Sequence, residues 1–232
     1  MGNKYMNNYK SIAIDGPAGA GKSTISKELA KKLKYIYVDT GALYRAIALY
    51  MINNNIDFKD QDKVAQNLKN IDIKIKYKNF SQQVYLNNLD ITDKIRTPEV
   101  SAVASAVSAL KPVRDFLLDL QRDLAKNNNV IMDGRDIATV VLPNADIKFF
   151  LTANEKARAT RRYAELIQTG KDNNISFEKV FDEMVKRDSN DSSREIAPLK
   201  KANDAILVDS SELSFEKTLE FILKIIKREF NI

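Results

Sequence analysis

The sequence predicts an α/β fold in three layers, with a parallel sheet that helices cover on both faces. Short apolar runs bounded by polar turn residues alternate with helical stretches along most of the 232 residues. A glycine-rich loop joins the first apolar run directly to the first helical stretch, an order that is typical of α/β proteins. One stretch with a period of two residues interrupts the alternation and predicts a small antiparallel sheet.

The individual elements follow from the spacing of the apolar residues. Parallel strands are predicted at 11–15, 35–39, 130–133, 146–151 and 205–209. Helices are predicted at 23–33, 40–53, 99–110, 112–126, 155–169, 177–188 and 215–230. In 71–77 apolar and polar residues alternate, and the pair Asn87-Asn88 separates two further short apolar segments, which indicates antiparallel strands around a tight turn. We therefore expect one domain over residues 1–232, with an insert at about 57–97.

The composition excludes several kinds of site. The chain has no cysteine and no histidine, which rules out disulfides, thiolate or imidazole metal sites and histidine-dependent triads. Any general base would have to be a carboxylate. No apolar run reaches the roughly 18 residues of a membrane span, and the polar start of the chain lacks the apolar core of a signal peptide. We expect a cytoplasmic protein that has no membrane partner.

The formal net charge of +6 raises the alternative of a nucleic-acid-binding protein with a regulatory nucleotide site. The lysines are scattered rather than gathered in one run, and aromatic residues do not interleave with them as on a platform for single strands. The expectation is therefore that no nucleic acid is bound. No exposed heptad or apolar stripe is evident, which favours a monomer.

Three of the seven glycines lie within six positions and are followed at once by a lysine. The spacing from Gly16 to Ser23 is G-x-x-x-x-G-K-S, which predicts backbone N–H groups around a phosphate, the lysine on the outer phosphates and the serine hydroxyl on Mg²⁺. This segment is named the glycine loop, and its expected ATP-binding residues are Gly16, Pro17, Ala18, Gly19, Ala20, Gly21, Lys22, Ser23 and Thr24. A guanine-reading N-K-x-D element is missing and the chain is short for a motor, which leaves a small-molecule kinase.

Two further motifs follow predicted strands, at the sheet edge where open α/β folds bind their ligands. In "VDTGALYR", Arg45 lies one helical turn beyond the glycine and is placed to pair with a phosphate. In "VIMDGRDIATVV", an apolar strand ends in Asp133-Gly134-Arg135-Asp136. A carboxylate at such a position commonly holds Mg²⁺ directly or through water, and we assign this role to Asp133. Arg135 offers a bidentate fork for phosphate.

Arginines concentrate in the stretch from 155 to 194. Arg158, Arg161 and Arg162 have the spacing i, i+3, i+4 on one predicted helix and therefore share a face. The motif "RDSNDSSR" at 187–194 adds two arginines and two aspartates. Arginine favours contacts with phosphate because phosphoryl transfer spreads charge over oxygens that a guanidinium matches. We expect residues 155–194 to form a mobile helical lid.

Taken together, the motifs resemble those of the bacterial cytidylate kinase family over nearly the whole chain, from residue 11 to about 230. The stretches "IDGPAGAGKST", "DTGALYR", "IRTPEV", "DGRDIATVV" and "RDSNDSSREIAPL" match the family's pattern in order. The resemblance implies a P-loop nucleoside monophosphate kinase that moves the γ-phosphoryl group of ATP to CMP or dCMP with Mg²⁺. It also implies that the insert binds the nucleoside monophosphate (NMP). A P-loop kinase with another acceptor, UMP or a small non-nucleotide acid, is the alternative that the residues leave open.

The resemblance implies roles for single residues on the donor side. Lys22 would bridge the ATP phosphates, and Ser23 and Asp133 would hold Mg²⁺. Three arginines would close over the donor phosphates: Arg158, Arg161 and Arg187. The groups expected to act in catalysis are Lys22, Arg135, Asp136, Arg158, Arg161 and Arg187.

On the acceptor side, the residues implied to bind the nucleotide are Thr40, Arg45, Ser105, Arg114, Arg135, Asp136, Asp191 and Arg194. Many relatives have serine in place of Thr40, so the hydroxyl is kept. The arginines at 45 and 135 would grip the CMP phosphate, and the one at 194 would contact phosphate. Ser105, Arg114 and Asp136 would read cytosine, and Asp191 would bind the ribose hydroxyls. A carboxylate can accept from the N4 amine of cytosine, while an arginine or a hydroxyl donates to its O2 and N3 atoms.

Overall fold

The computed structural model describes residues 9–78, 81–168 and 175–232. These residues form the predicted α/β fold. The strands are β1 (Ser11–Asp15), β2 (Ile36–Asp39), β3 (Ile73–Lys78), β4 (Ser81–Leu86), β5 (Leu89–Asp90), β6 (Val130–Gly134), β7 (Ile147–Thr152) and β8 (Ile206–Asp209). The helices are α1 (Lys22–Leu33), α2 (Thr40–Asn53), α3 (Gln61–Leu68), α4 (Pro98–Val107), α5 (Lys111–Asn127), α6 (Glu155–Gln168), α7 (Phe177–Ser193) and α8 (Phe215–Phe230). Across the described ranges, none of the helices has both the length and the apolar composition that a bilayer crossing requires.

The central sheet has five parallel strands in the order β2-β6-β1-β7-β8. Ile12, Ala13 and Ile14 of its middle strand, β1, are completely buried because helices cover both faces of the sheet. The register pairs Asp15 with Gly134 across β1 and β6 and Asp39 with Asp133 across β2 and β6. The carboxyl ends of three neighbouring strands therefore meet at one edge, and each of them leads into a polar motif of the sequence.

Helices cover the sheet on both faces, which gives the three predicted layers. On one face Ile12 and Phe149 pack in a cluster with Leu29 of α1 and Ile222 of α8. On the other face Ala13, Val38 and Met132 pack with residues of α5 and of the segment after β6. Burial of these large apolar side chains is the main source of the free energy that holds the layers together.

The predicted antiparallel sheet is present, with strand order β3-β4-β5. Asn87 and Asn88 form its tight turn with φ angles of 48° and 67°, the left-handed conformation that a two-residue hairpin turn requires. Val84 and Leu86 face the apolar cluster of α2, α3, α4 and α5. The side chain of Gln82 ties this sheet to β2, since its Oε1 accepts from the N–H of Asp39 and its Nε2 donates to the carbonyl oxygen of the same residue, at 2.9 and 3.2 Å.

Some element boundaries differ from the prediction. Helix α4 ends at Val107 rather than 110, because Leu110 takes an extended conformation as the residue before α5. Helix α7 continues past the predicted end at 188 to Ser193. Its last turn holds the buried Asp191, whose ion pair with Arg135 offsets the low helix propensity of the serines and asparagine there.

Helices α6 and α7 pack on each other within the segment predicted as a lid. Ala159, Leu166, Val180 and Met184 form their apolar cluster, separate from the clusters of the sheet. The rings of Tyr163 and Phe177 meet edge to face at the rim of that cluster, 6.0 Å between centroids. Residues 169–174 of the predicted segment, including the predicted helix end at 169, lie outside the described residues.

Candidate functional site

The glycine loop connects the end of β1 to the start of α1. Gly16 has a φ of +151°, and a Cβ atom at this position would lie 1.9 Å from the backbone oxygen of Leu151. Gly21, with φ +85°, precedes α1 and turns the chain into the helix. Pro17 and Ala20 are buried, whereas Ser23 and Thr24 on the first turn of α1 are exposed to the site. The positive end of the α1 dipole therefore faces the space enclosed by the loop.

Lys22 lies inside the loop with 6% of its side chain exposed. Its Nζ donates to the carbonyl oxygen of Pro17 at 2.7 Å. Burial, together with the nearby guanidinium groups of Arg135 and Arg187, lowers the pKa of Lys22 to about 7. An ammonium group surrounded by other cations is stabilised by an anion, so this position is suited to bind phosphate.

Ser23 and Asp133 meet beside the glycine loop. The Ser23 hydroxyl donates to Asp133 Oδ2 at 2.8 Å, and the Tyr37 hydroxyl donates to Oδ1 at 3.0 Å. Burial raises the pKa of Asp133 to about 6, with a further contribution from Asp39. Within the described residues, acidic side chains do not gather in threes that could hold a metal by themselves. A hydroxyl beside one carboxylate nevertheless suits Mg²⁺, which commonly keeps several waters and takes its remaining oxygens from substrate phosphates.

Asp39, the last residue of β2, organises the start of α2. Its carboxylate accepts from the N–H of Ala42 at 3.0 Å and pairs with Arg45 at 2.8 Å and with Arg96 at 3.5 Å. Burial alone would raise the pKa of Asp39, but the two guanidinium groups outweigh it and hold the pKa below its usual range. The Nε of Arg45 is buried and has no hydrogen-bond partner among the described residues. The hydroxyl of Thr40 donates to the carbonyl oxygen of Asp133 at 2.8 Å.

A second charged cluster surrounds Asp136. Arg114 of α5 donates to the Asp136 carboxylate, and Arg194 approaches the same carboxylate at 3.7 Å. Burial raises the pKa of Asp136, and the two arginines oppose this shift. The guanidinium of Arg114 also donates to the carbonyl oxygen of Ser108 at 2.9 Å. Ser105 lies one turn before Ser108 on α4 and is half-buried.

Arg135 and Asp191 connect the sheet edge to α7. The Nε of Arg135 donates to Asp191 Oδ2 at 2.8 Å, and Arg194 lies 4.0 Å from the other oxygen of that carboxylate. Burial would raise the pKa of Asp191, but Arg135 and Arg187 hold it below its usual range. Burial lowers the pKa of Arg187 to about 10, and its buried Nε has no hydrogen-bond partner among the described residues. These guanidinium groups form a cationic cluster, and a bound anion would supply the missing hydrogen-bond acceptor.

The three arginines predicted to share one face of α6 have different partners. Arg158 is buried, pairs with Asp188 and donates to the carbonyl oxygen of Ala18 in the glycine loop at 3.0 Å. Asp188 accepts in turn from the N–H of Ala18 at 3.1 Å. Arg161 donates to Ser210 after β8, at 3.0 Å to the hydroxyl and 2.6 Å to the carbonyl oxygen. Arg162 pairs with Glu165 on the helix surface at 2.8 Å.

The structure thus groups most of the predicted residues at one edge of the sheet. Arg161 donates to Ser210, directly after β8, and its predicted contact with phosphate remains a prediction. Sequence reasoning missed Tyr37 and Asp39, which hold Asp133 and Arg45 in place. It also missed Asp15, which accepts from the backbone of the segment after β6. A signal for the two aspartates was available, because each is the last residue of a predicted strand at the ligand-binding edge.

The sequence and the fold both match those of known proteins. The profile of the family described as Cytidylate kinase matches residues 12–228. A protein named Cytidylate kinase from Caldicellulosiruptor bescii is 52% identical over 223 residues, covering 94% of this chain and 98% of that protein. A Cytidylate kinase from Bacillus subtilis is 43% identical over 219 residues, covering 94% and 97%. The crystal structure of an uncharacterized protein from Eubacterium ventriosum, at 12% identity, superposes with a TM-score of 0.54, covering 94% of this chain and 98% of that chain, and agrees in fold alone.

Proposed function

Because this chain belongs to the cytidylate kinase family, we propose that it moves the γ-phosphoryl group of ATP onto CMP or dCMP, giving ADP and CDP or dCDP. The chain is an enzyme, a nucleoside monophosphate kinase of the phosphotransferase class. The observation that carries the choice of acceptor is the buried pair Arg114–Asp136, at the same sheet edge as the glycine loop. The carboxylate would accept from the N4 amine of cytosine, and the guanidinium would donate to O2 or N3.

On the donor side, the proposal places the ATP phosphates in the glycine loop. Backbone N–H groups and the N-terminus of α1 bind the phosphates, and the buried Lys22 neutralises the charge that develops as the phosphoryl group moves. Ser23 and Asp133 would hold Mg²⁺, which when bound shields the negative charge of the phosphate oxygens. Tyr37 keeps the Asp133 carboxylate in its orientation through the second oxygen.

On the acceptor side, the CMP phosphate would bind between Arg45 and Arg135. Each guanidinium group already donates to a carboxylate at the sheet edge, Arg45 to Asp39 and Arg135 to Asp191. These hydrogen bonds orient the two groups before the substrate arrives. Thr40 would contact the nucleotide. Ser105 would contact the base together with Arg114 and Asp136. Asp191 would bind the ribose hydroxyls, and Arg194 would bind phosphate.

The proposed reaction needs no strong general base. The attacking group is a phosphate oxygen of CMP, which is already anionic near neutral pH. Catalysis then consists of alignment of the two phosphates and neutralisation of charge, which cations can provide. This accounts for an active site built from lysine and arginine in a chain that has no histidine.

The segment 155–194 is proposed to act as a lid, and the insert at about 57–97 to bind the nucleoside monophosphate. Arg158, Arg161 and Arg187 would close over the donor phosphates and exclude water that would otherwise hydrolyse ATP. Arg158 already reaches the glycine loop from α6, which supports such a closure. Small-molecule nucleotides are the substrates, and we propose that the enzyme acts in the cytoplasm as a monomer.

A screen of acceptors tests the proposal. The purified chain is incubated with ATP and Mg²⁺ and with CMP, dCMP, UMP, AMP or shikimate, and ADP formation is followed for each. We expect CMP or dCMP to be phosphorylated with the highest kcat/KM. Fast turnover of UMP or shikimate with none of CMP or dCMP would reject the proposed acceptor and leave the kinase assignment in place.

A change at Asp136 should alter the preference for the base. In Asp136→Asn an amide nitrogen can donate where the carboxylate could only accept, which disfavours the cytosine N4 amine and suits the O4 of uracil. We expect kcat/KM for CMP to fall by about tenfold to a hundredfold, and more than for UMP. Asp115→Asn, on the exposed side of α5, serves as the matched control and should leave both values unchanged. Equal losses with both acceptors would mean that Asp136 does not read the base.

A further inference from the structure

Asp15 is a buried carboxylate with no part in the proposed binding of ATP, Mg²⁺ or CMP. It is the last residue of β1, stands directly before Gly16, and has 1% of its surface exposed. Its Oδ1 accepts from the N–H of Ile137 at 2.9 Å, and its Oδ2 accepts from the N–H of Ala138 at 2.8 Å. Both oxygens of the carboxylate therefore bind the backbone of the segment that follows β6.

That backbone is the start of a short π-helical turn, Ile137–Val141. The residue at its N-cap is Asp136, and an aspartate in that position usually accepts from the N–H of the second or third residue of the turn. Here the Asp136 side chain makes no capping hydrogen bond. Its Oδ2 accepts from Arg114 instead, and Arg194 lies 3.7 Å from its Oδ1.

The N–H of Ala138 is one of the two donors that Asp136 would ordinarily take as a cap, and Asp15 accepts from it instead from the neighbouring strand. A buried N–H group without a partner is costly, so it would compete for any free carboxylate nearby. Burial raises the pKa of Asp15 to about 7, which shows that the fold keeps a carboxylate at a place where its charge is disfavoured.

We propose that Asp15 is a positioning residue for base selection: by capping the turn after β6 in place of Asp136, it leaves the Asp136 carboxylate on Arg114, where cytosine is read. The inference deepens the proposed function and rests on it. Asp15 touches neither substrate in this account and acts only through the orientation of Asp136. The same two hydrogen bonds also fix the backbone next to Arg135, because they start one residue after the Arg135-Asp136 pair.

The test uses Asp15→Asn, which preserves the shape of the side chain but replaces one acceptor oxygen with an NH₂ group. That group cannot accept from an N–H, so one donor of the turn is freed and draws Asp136 away from Arg114. We expect the ratio of kcat/KM for CMP to kcat/KM for UMP to fall by about tenfold. The affinity for ATP with Mg²⁺, measured by equilibrium titration, should change by less than about threefold, because the glycine loop is not rearranged.

A double-mutant cycle separates this role from a general loss of structure. If Asp15 acts through Asp136, then Asp15→Asn should lower the ratio little further in the Asp136→Asn background. Full additivity of the two effects on the ratio would overturn the proposal. An unchanged ratio in folded Asp15→Asn would overturn it as well.

The ratio is measured on one preparation with two acceptors, so a partly unfolded sample affects both values equally and the ratio stays informative. If Asp15→Asn gives no folded protein, Asp15→Ser, whose hydroxyl can accept one N–H, is measured in the same way with the same expected direction. Asp146→Asn is the matched control, since the Asp146 carboxylate holds the opposite end of β1 through the N–H of Ser11 at 2.8 Å and should leave the ratio unchanged. If the proposed function is wrong, the unmodified chain will not phosphorylate CMP, and this result is obtained before any variant is measured.

Discussion

Lys22→Ala should lower the rate of phosphoryl transfer by about a thousandfold while the protein remains folded. The side chain is buried in the glycine loop, and its Nζ donates to the carbonyl oxygen of Pro17 at 2.7 Å. Burial, together with nearby guanidinium groups, lowers its pKa to about 7, so the charged form is disfavoured in the empty protein and does not stabilise it. The ammonium charge stabilises the phosphoryl group during transfer, so its loss should lower kcat.

The measurement is a steady-state assay of ADP formation with CMP as acceptor, together with a urea denaturation curve. Lys31→Ala is the matched control, because Lys31 is an exposed lysine in the last turn of the same helix. We expect the control to keep the rate of the unmodified chain. A rate for Lys22→Ala within a few-fold of that value would contradict the assignment of the glycine loop.

Gly16→Ala should have the largest effect on the free energy of unfolding. A Cβ atom at Gly16 would lie 1.9 Å from the backbone oxygen of Leu151, and the φ of +151° is strained for any residue with a side chain. Since the obstacle is the backbone of β7, a rotamer change cannot relieve it. We expect a loss of roughly 3 kcal/mol or more, and loss of ATP binding because the loop must shift.

Gly21→Ala separates the effect of the clash with Leu151 from the effect of the strained backbone conformation. Gly21 also has a positive φ, +85°, but among the described residues no atom beyond its chain neighbours lies within 4 Å of the position of its Cβ atom. Its replacement should cost only about 1 to 2 kcal/mol from the backbone conformation. Both free energies are obtained from urea denaturation. Equal losses for the two variants would show that the contact with Leu151 does not determine the effect.

The parts of the site that sequence reasoning could reach are those encoded by neighbouring residues. The glycine loop is one of them, because strand, glycine spacing, lysine and helix follow each other without interruption. The antiparallel sheet is another, because its alternation and the Asn87-Asn88 turn are local. The pairs Arg114–Asp136 and Arg135–Asp191 join residues that are 22 and 56 positions apart, and no local pattern predicts such pairs.

Two elements were missed for physical reasons. Helix α3 has only Val64 and Leu68 as buried apolar residues, which is too few for a clear helical period. The turn at Ile137–Val141 is rich in β-branched residues, whose intrinsic preference is for strands. It is held by a hydrogen bond from the N–H of Leu142 to the carbonyl oxygen of Ile137 at 2.7 Å and by the carboxylate of Asp15 from another strand. That support comes from tertiary structure.

The most direct test of the central claim follows the phosphorus atoms themselves. Phosphorus NMR of the unmodified chain with ATP, Mg²⁺ and CMP distinguishes transfer to the nucleotide from transfer to water. We expect the γ-phosphate signal of ATP to disappear as the β-phosphate signal of CDP appears, one for one, with ADP as the second product. Accumulation of inorganic phosphate with CMP unchanged, or no loss of ATP at all, would contradict the account.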